Sequence, residues 1–366
     1  EFRRVLFRSM NSIVRFNLIY GTTTSSGVEE PSGGNGIELG STTDPTGQNL
    51  VENNTVLSNV SSGIRLRAGA DHNTISKNIV RSNADGISVL TDGNTINGNV
   101  ITSNVDDGLV INGNANSVQG NLIDVDTDGT TAAGNGGDGI EITGIDNVIG
   151  GTLSDDTNIV AYNSGIGVSV LSGSGTSIRG NSIYANGGLG IDLNANGVDV
   201  NDLSDGDTGT NGLQNTVVIQ AIYSNDVDTL RIVGQLDSTP ATTFRIEFFV
   251  SSASLADTSG YGEGAQFLTA TTVTTDASSL ALIDVTLSQY VVRCDVISAI
   301  VTDLTTNDSS EFSATMPVTP HAPVANDATY TIDENTSNGS LIGGVIVSDV
   351  DPNETLTFAK IGRAHV

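Results

Sequence analysis

A four-residue unit, glycine–apolar–any–apolar, recurs through the first half of this chain and restricts its fold more than any other feature. It stands at Gly36-Ile-Glu-Leu, Gly63-Ile-Arg-Leu, Gly86-Ile-Ser-Val, Gly108-Leu-Val-Ile, Gly139-Ile-Glu-Ile, Gly167-Val-Ser-Val and Gly190-Ile-Asp-Leu, with start-to-start spacings of 27, 23, 22, 31, 28 and 23. Each unit is followed by two more short apolar segments opened by asparagine, as in Asn73-Thr-Ile and Asn78-Ile-Val, or Asn94-Thr-Ile and Asn99-Val-Ile. Three short strands per repeat, apolar at alternate positions, describe one rung of a coil. A single rung cannot bury its own apolar side chains, so the rungs must stack about 4.8 Å apart. Glycine and asparagine suit the left-handed backbone needed at the bends. Asparagines at equivalent corners can bond to one another along the stack. The repeat therefore predicts an all-β fold that opens with a parallel β-helix over residues 10–197.

The segments Asn121-Leu-Ile-Asp, Gly134-Asn-Gly-Gly-Asp-Gly139 and Asn147-Val-Ile-Gly-Gly-Thr152 resemble the right-handed β-helix repeats of large bacterial secreted proteins. The resemblance implies fold more than activity, because this architecture carries lyases, epimerases and inert stalks alike. After an acidic junction at 198–214 the pattern changes to longer alternating strands, about 216–224, 228–238, 242–252, 266–276, 279–288, 290–303 and 311–318. Seven strands at that spacing predict an antiparallel Ig-like β-sandwich over 215–318. A Pro-rich linker, 319–323, follows. Residues 324–359, with Asp333-Glu-Asn-Thr and Val347-Ser-Asp-Val-Asp-Pro, resemble the first half of a cadherin-like repeat. The ends, 1–9 and 360–366, resemble translated sequencing-adapter DNA. On that reading the chain is an internal piece of a longer protein.

The chain carries 14 basic and 42 acidic residues, net −28. A surface of that sign repels nucleic acid and anionic membranes and suits hard cations, calcium above all. One cysteine, Cys294, excludes a disulfide framework and a thiolate metal centre. It reads as a small buried hydrophobe, and His72 as a surface histidine. No apolar run reaches the ~18 residues that span a bilayer.

Two carboxylate groups are candidate calcium ligands. The cadherin resemblance implies Glu334, Asp349 and Asp351, although Pro352 departs from the expected pattern. In the junction, Asp199, Asp202, Asp205 and Asp207, with Asn211, bring oxygen side chains close in sequence along a glycine-bearing loop. A third group, Asp85, Asp107 and Asp138, precedes three repeat glycines and reads first as turn chemistry.

For catalysis, the residues at the variable repeat position are Glu38, Arg65, Ser88, Val110, Glu141, Ser169 and Asp192. Glu141 and Asp192 lie two rungs apart, roughly 10 Å, at the limit for inverting hydrolysis. Arg65 and Glu38 read as a cross-strand ion pair. Between Gly21 and Ala161 there is no Phe, Tyr or Trp to stack on a sugar. The sequence thus assigns no catalytic residue. It points to a structural and adhesive segment of a secreted or cell-surface bacterial protein, calcium-stabilised and contacting other surface proteins or polysaccharide. The competing reading is a carbohydrate-active enzyme, a lyase or epimerase, working on the β-helix sheet.

Overall fold

The computed structural model describes residues 5–7, 10–21, 34–40, 47–123, 132–224, 229–255, 257–289, 291–292 and 295–318, with isolated positions between 324 and 348. The repeats wind as a solenoid of three parallel sheets with eight, seven and seven strands. The long sheet contains the glycine-led strands, from Val5–Phe7 and Ile37–Leu39 to Val168–Val170 and Ile191–Leu193. Val5–Phe7 falls inside the stretch that resembles adapter sequence, and it pairs in register with Ile37–Leu39. The second sheet runs from Ile13–Arg15 to Ser177–Arg179, and the third from Leu18–Tyr20 to Ser182–Tyr184.

Register places like on like. Ile64, Ile87, Leu109, Ile140, Val168 and Ile191 follow one another along the long sheet. Each is essentially inaccessible to solvent, as are the inward residues of the other two sheets. At about 1.5–3 kcal/mol for each buried aliphatic side chain, this stacked core is the main stabilising term.

The corners solve a different problem, since every bend interrupts backbone pairing. Between the second and third sheets, one left-handed residue turns the chain: Asn53, Lys77, Gly98, Gly120 and Gly180 all have φ between 53° and 63°. The next residue is a buried asparagine whose side chain bonds to the rung before and accepts from it. Asn78 donates its backbone N–H and its Nδ2 to Asn99 Oδ1, at 2.9 and 3.0 Å, and Asn99 does the same to Asn121 Oδ1, at 3.0 and 3.0 Å. Parallel ladders run through Asn49, Asn73, Asn94, Asn116 and Asn147, and through Asn59, Asn83, Asn104 and Asn135.

Two antiparallel sheets follow. Val218–Ser224, Leu230–Asp237 and Leu280–Leu287 form one; Gln266–Thr274, Thr243–Ser251, Val296–Asp303 and the short Met316–Pro317 form the other. The expected strand over 311–318 is therefore only two residues long, because Glu311 and Phe312 are drawn instead into the end of the solenoid. Along Thr243–Ser251 the faces divide by parity. Phe244, Ile246, Phe248 and Val250 join the core of the antiparallel sheets, whereas Phe249 joins the solenoid core together with Ile300 and Phe312. Every second residue thus packs against a different layer.

The seam is closed by polar groups as well as rings. Glu311 accepts the N–H groups of Leu193 and Asp199, each at 3.0 Å. Glu263 accepts those of Ala185 and Asn186, at 2.6 and 3.0 Å, and Glu247 accepts that of Gly180 at 2.7 Å. Asp308 takes Gly175 N–H at 2.6 Å, and Ser309 Oγ takes that of Ile178 at 2.9 Å. Gly264 exchanges two backbone bonds with Ile183, at 2.9 and 2.8 Å. Donors that would have met a further rung are satisfied by the second half of the chain. No helix among the described residues is long and apolar enough to cross a membrane. Beyond residue 318, Val324–Ala325 pairs with Val347–Ser348. Cys294, Glu334, Asp349, Asp351 and the 360–366 end lie outside the described residues.

Candidate functional site

The variable position of the repeat points away from the solenoid core on the long sheet, with Glu38, Ser88, Ser169 and Asp192 buried and Arg65, Val110 and Glu141 half-buried, and the aspartates preceding the glycines stand at the margin of that face. Their backbone pairing brings them onto successive rungs. Asp107 Oδ1 accepts the backbone N–H of Asp138 at 2.7 Å, and Asp138 Oδ1 accepts that of Ile166 at 2.7 Å. Asp85 Oδ2 accepts from Ser62 Oγ at 3.2 Å. Each carboxylate therefore ties one turn to a neighbouring one, which is the turn role expected from sequence.

That role does not exhaust them. Oxygens of Asp85, Asp106 and Asp107 all lie within 4.8 Å of one another. Burial, opposed by the Asp138 N–H and reinforced by the charges of Asp106, Glu141 and Asp138, pushes Asp107 up to about 7. Burial also raises Asp85, Asp138 and Glu141 above their ordinary values, with neighbouring carboxylates adding to the effect in each case. Like charges in a partly desolvated row disfavour simultaneous ionisation. Asp107 is therefore a carboxyl that holds a proton near neutrality, beside others that burial also raises.

At one end of this row is Arg65, whose charge lowers the pKa of Asp85. Its Nε is buried without a hydrogen-bond partner among the described residues. Arg65 and Glu38 are register partners as expected, but the ion pair is different: Glu38, almost fully buried, is held by Arg67 Nη1 at 2.9 Å and by Asn35 Nδ2 at 2.7 Å. Arg67 lies two residues further on and reaches back across the strand. Arg65 is thereby left facing the aspartate row. At the far end, Asp192 is 4% exposed and accepts the N–H groups of Asn196 and Gly197, so it closes a turn. Glu141 remains half-exposed on its rung, opposite Val110 and Ser169. Asp106 was not singled out from the sequence, although the Asp106-Asp107 doublet is a signal, since the other repeats carry one aspartate at most before the glycine.

In the junction, Asp202, Asp205 and Asp207 do come together, with oxygens within 4.8 Å of one another. Asp205 also accepts from Asn215 N–H and Ser238 Oγ, each at 2.9 Å, and burial pushes it up to about 6. Asp199 stands outside this group; its backbone N–H goes to Glu311, and its charge raises the pKa of Asp207. Asn211 does not join the cluster. It is fully buried and extends an asparagine ladder, taking Thr176 N–H on Oδ1 at 2.9 Å. His72 is exposed in a turn.

Residues 5–123 match a family described as the right handed beta helix region. The match covers about a third of the chain and agrees with the three parallel sheets. Among solved structures, the chain is similar to the periplasmic alginate epimerase AlgG, at 21% identity and a TM-score of 0.38, covering 50% of this chain and 37% of that one. It is also similar to tailspike protein 2 of Escherichia coli O157:H7 bacteriophage CAB120, at 11% identity and a TM-score of 0.28, covering 85% and 63%. A third is tailspike protein gp49 of Acinetobacter baumannii bacteriophage Fri1, a capsular polysaccharide depolymerase, at 11% identity and a TM-score of 0.20, covering 85% and 70%. No curated protein matches the chain.

Proposed function

We propose that the long parallel sheet is the working face of a polysaccharide-processing enzyme, with Asp107 as its acid. The reading is carried by one observation: Asp107, raised by burial to about 7, stands with the half-buried Asp85, Asp138 and Glu141 on neighbouring rungs at the margin of the long sheet. Carboxyls whose environments push their protonation apart divide into acid and base. Asp107 gives its proton to the oxygen of the bond being broken, and Glu141, one rung on, takes a proton either from the water that attacks the sugar carbon (hydrolysis) or from the ring carbon beside a uronate carboxylate as a double bond forms (elimination). Arg65 neutralises or orients substrate at the other end of the row. The face is linear and rises by one rung, ~4.8 Å, at a time, which fits an extended polymer better than a small molecule.

The test is a panel of neutral and uronate-containing polysaccharides, assayed for new reducing ends and for unsaturated ends. Reducing ends alone mean hydrolysis; unsaturated ends mean elimination. Asp107→Asn is expected to lower the rate at least ~100-fold, the range for loss of a general acid. A panel without products, or an Asp107→Asn variant of full activity, removes the reading.

A second reading, calcium-stiffened adhesion, is favoured by the two triads, Asp85–Asp106–Asp107 and Asp202–Asp205–Asp207. Its expectation is a thermal midpoint that rises in millimolar calcium but not in magnesium. The two readings oppose each other at Asp107, because a cation bound there would strip its proton and inhibit catalysis.

A further inference from the structure

A cleft of about 220 Å³ opens beyond the last rung, where the chain leaving the solenoid, 199–201, passes the edge strands of both antiparallel sheets. Residues 216–219 contribute one side of it and 314–316 the other, with Tyr261 bridged to Ala314. Val217, Val218, Ile219, Met316 and Tyr261 make the lining largely apolar.

The polar side chains of Asn201, Thr216 and Thr315 are engaged within the protein. Asn201 Oδ1 accepts Thr216 N–H and Oγ1, at 2.8 and 3.1 Å, and its Nδ2 donates to Thr216 O at 2.8 Å. Thr315 Oγ1 donates to Gly260 O at 3.2 Å. Asp199 differs. Its Oδ1 takes a long bond from Asn196 Nδ2, at 3.4 Å, and its Oδ2 is buried with no hydrogen-bond partner among the described residues. No lysine, arginine or histidine lines the cleft. The charges within reach of Asp199 are those of Asp192, Asp207 and Glu311, all of its own sign. A carboxylate oxygen buried without a donor or a counter-charge is costly, and a ligand that supplies both removes the cost.

We propose that this cleft binds an organic ammonium, with the charged nitrogen on Asp199 Oδ2 and against the Tyr261 ring, and the hydrocarbon stem along Val217, Ile219 and Met316. An ammonium gives the carboxylate a charge-assisted hydrogen bond and is drawn to the face of an aromatic ring. The volume is below the roughly 300–1,000 Å³ of sites for drug-sized ligands, which suits a short stem. A bare calcium ion is poorly served, because it needs about 6–8 oxygens and the cleft offers one unengaged carboxylate oxygen. The proposal is independent of catalysis on the long sheet, whose aspartates do not line the cleft.

The chain has two methionines, Met10 on the first rung and Met316 in the cleft. Labelling both methyl groups with carbon-13 therefore gives one reporter and one internal control by NMR. The full chain is titrated with n-pentylammonium, pentan-1-ol and pentanoate. Pentylammonium should move the Met316 signal saturably and leave Met10 in place, and the alcohol and the carboxylate should bind at least about tenfold more weakly. An equal response to Nα-acetyl-lysine amide assigns the ammonium to a lysine side chain, and no response assigns it to a free amine. Asp199→Asn should raise Kd at least about tenfold, and Tyr261→Leu about threefold or more. Asp155→Asn, an equal change of charge on the remote 154–156 turn, should leave Kd unchanged. A Met316 signal that does not move, an alcohol as effective as the ammonium, full affinity in both cleft variants, or an equal loss in Asp155→Asn overturns the proposal.

Discussion

At the scale of single residues, Asp107 shows how a turn aspartate acquires chemistry. Its turn bond to Asp138 N–H would by itself lower its pKa, but burial and three neighbouring carboxylates outweigh that bond. The acid form must be present for catalysis, so activity should fall as pH rises through about 7. The lower limb should follow protonation of Glu141, whose pKa is raised by burial and by Asp138. A pH–rate profile of kcat/KM checks both limbs. In Asp107→Asn the upper limb should vanish with the activity, whereas in Glu141→Gln the lower limb should.

The solenoid's single elements are strands of two or three residues, too short to persist alone, and the asparagine ladders set their register. Asn99 serves two neighbours at once: it accepts from Asn78 N–H and Nδ2 and donates Nδ2 to Ile75 O at 2.8 Å. Asn99→Ala would strand those groups in the interior, each at ~1–3 kcal/mol, for a loss of about 4 kcal/mol. Asn112→Ala, on an exposed side chain bonded to Thr143, should change stability by no more than about 0.5 kcal/mol. Urea unfolding of the two variants measures the contrast. Equal losses would mean that the ladder is incidental to register.

For the molecule as a whole, the deciding feature is the seam. A stack of parallel strands has an open end with unpaired donors and exposed aliphatics, a template for aggregation. This one is closed by Glu263, Glu311, Glu247 and Asp308, with Phe249, Ile300 and Phe312 over the core. Phe312→Ala should cost about 3–5 kcal/mol. Glu311 gives the seam a pH dependence. Burial, with Asp199 and Asp192 adding, raises it from 4.5 to about 7 in spite of its two N–H donors. A folded-state pKa above the unfolded value means that the folded protein holds the proton more tightly. The contribution to stability is whole below about 4.5 and lost as pH rises to about 7. Glu311→Gln should flatten that stretch of the stability–pH curve, read as thermal midpoints from about pH 4 to 8.

The sequence alone determined the solenoid, because a period near 22 with alternating aliphatics has few ways to bury itself, and the asparagines marked its corners. It also determined the change to antiparallel strands, through their greater length and alternation. The Asp202–Asp205–Asp207 group was legible because it is local, three carboxylates within six residues. What only the tertiary structure decided depends on distance between rungs and between halves. Glu38 chose Arg67 over its register partner through side-chain reach, and Asn211 left its loop for a ladder that needed a final oxygen. Phe267 brings a ring of the antiparallel sheets against the solenoid, whose repeats between Gly21 and Ala161 have none. Protonation of Asp107 rests first on burial, then on the charges of Asp106, Glu141 and Asp138; the burial, and the last two neighbours 34 and 31 residues away, come only when rungs stack. Short-range pattern fixes what repeats; desolvation and charge are sums over whatever folding brings close, and no window of sequence contains them.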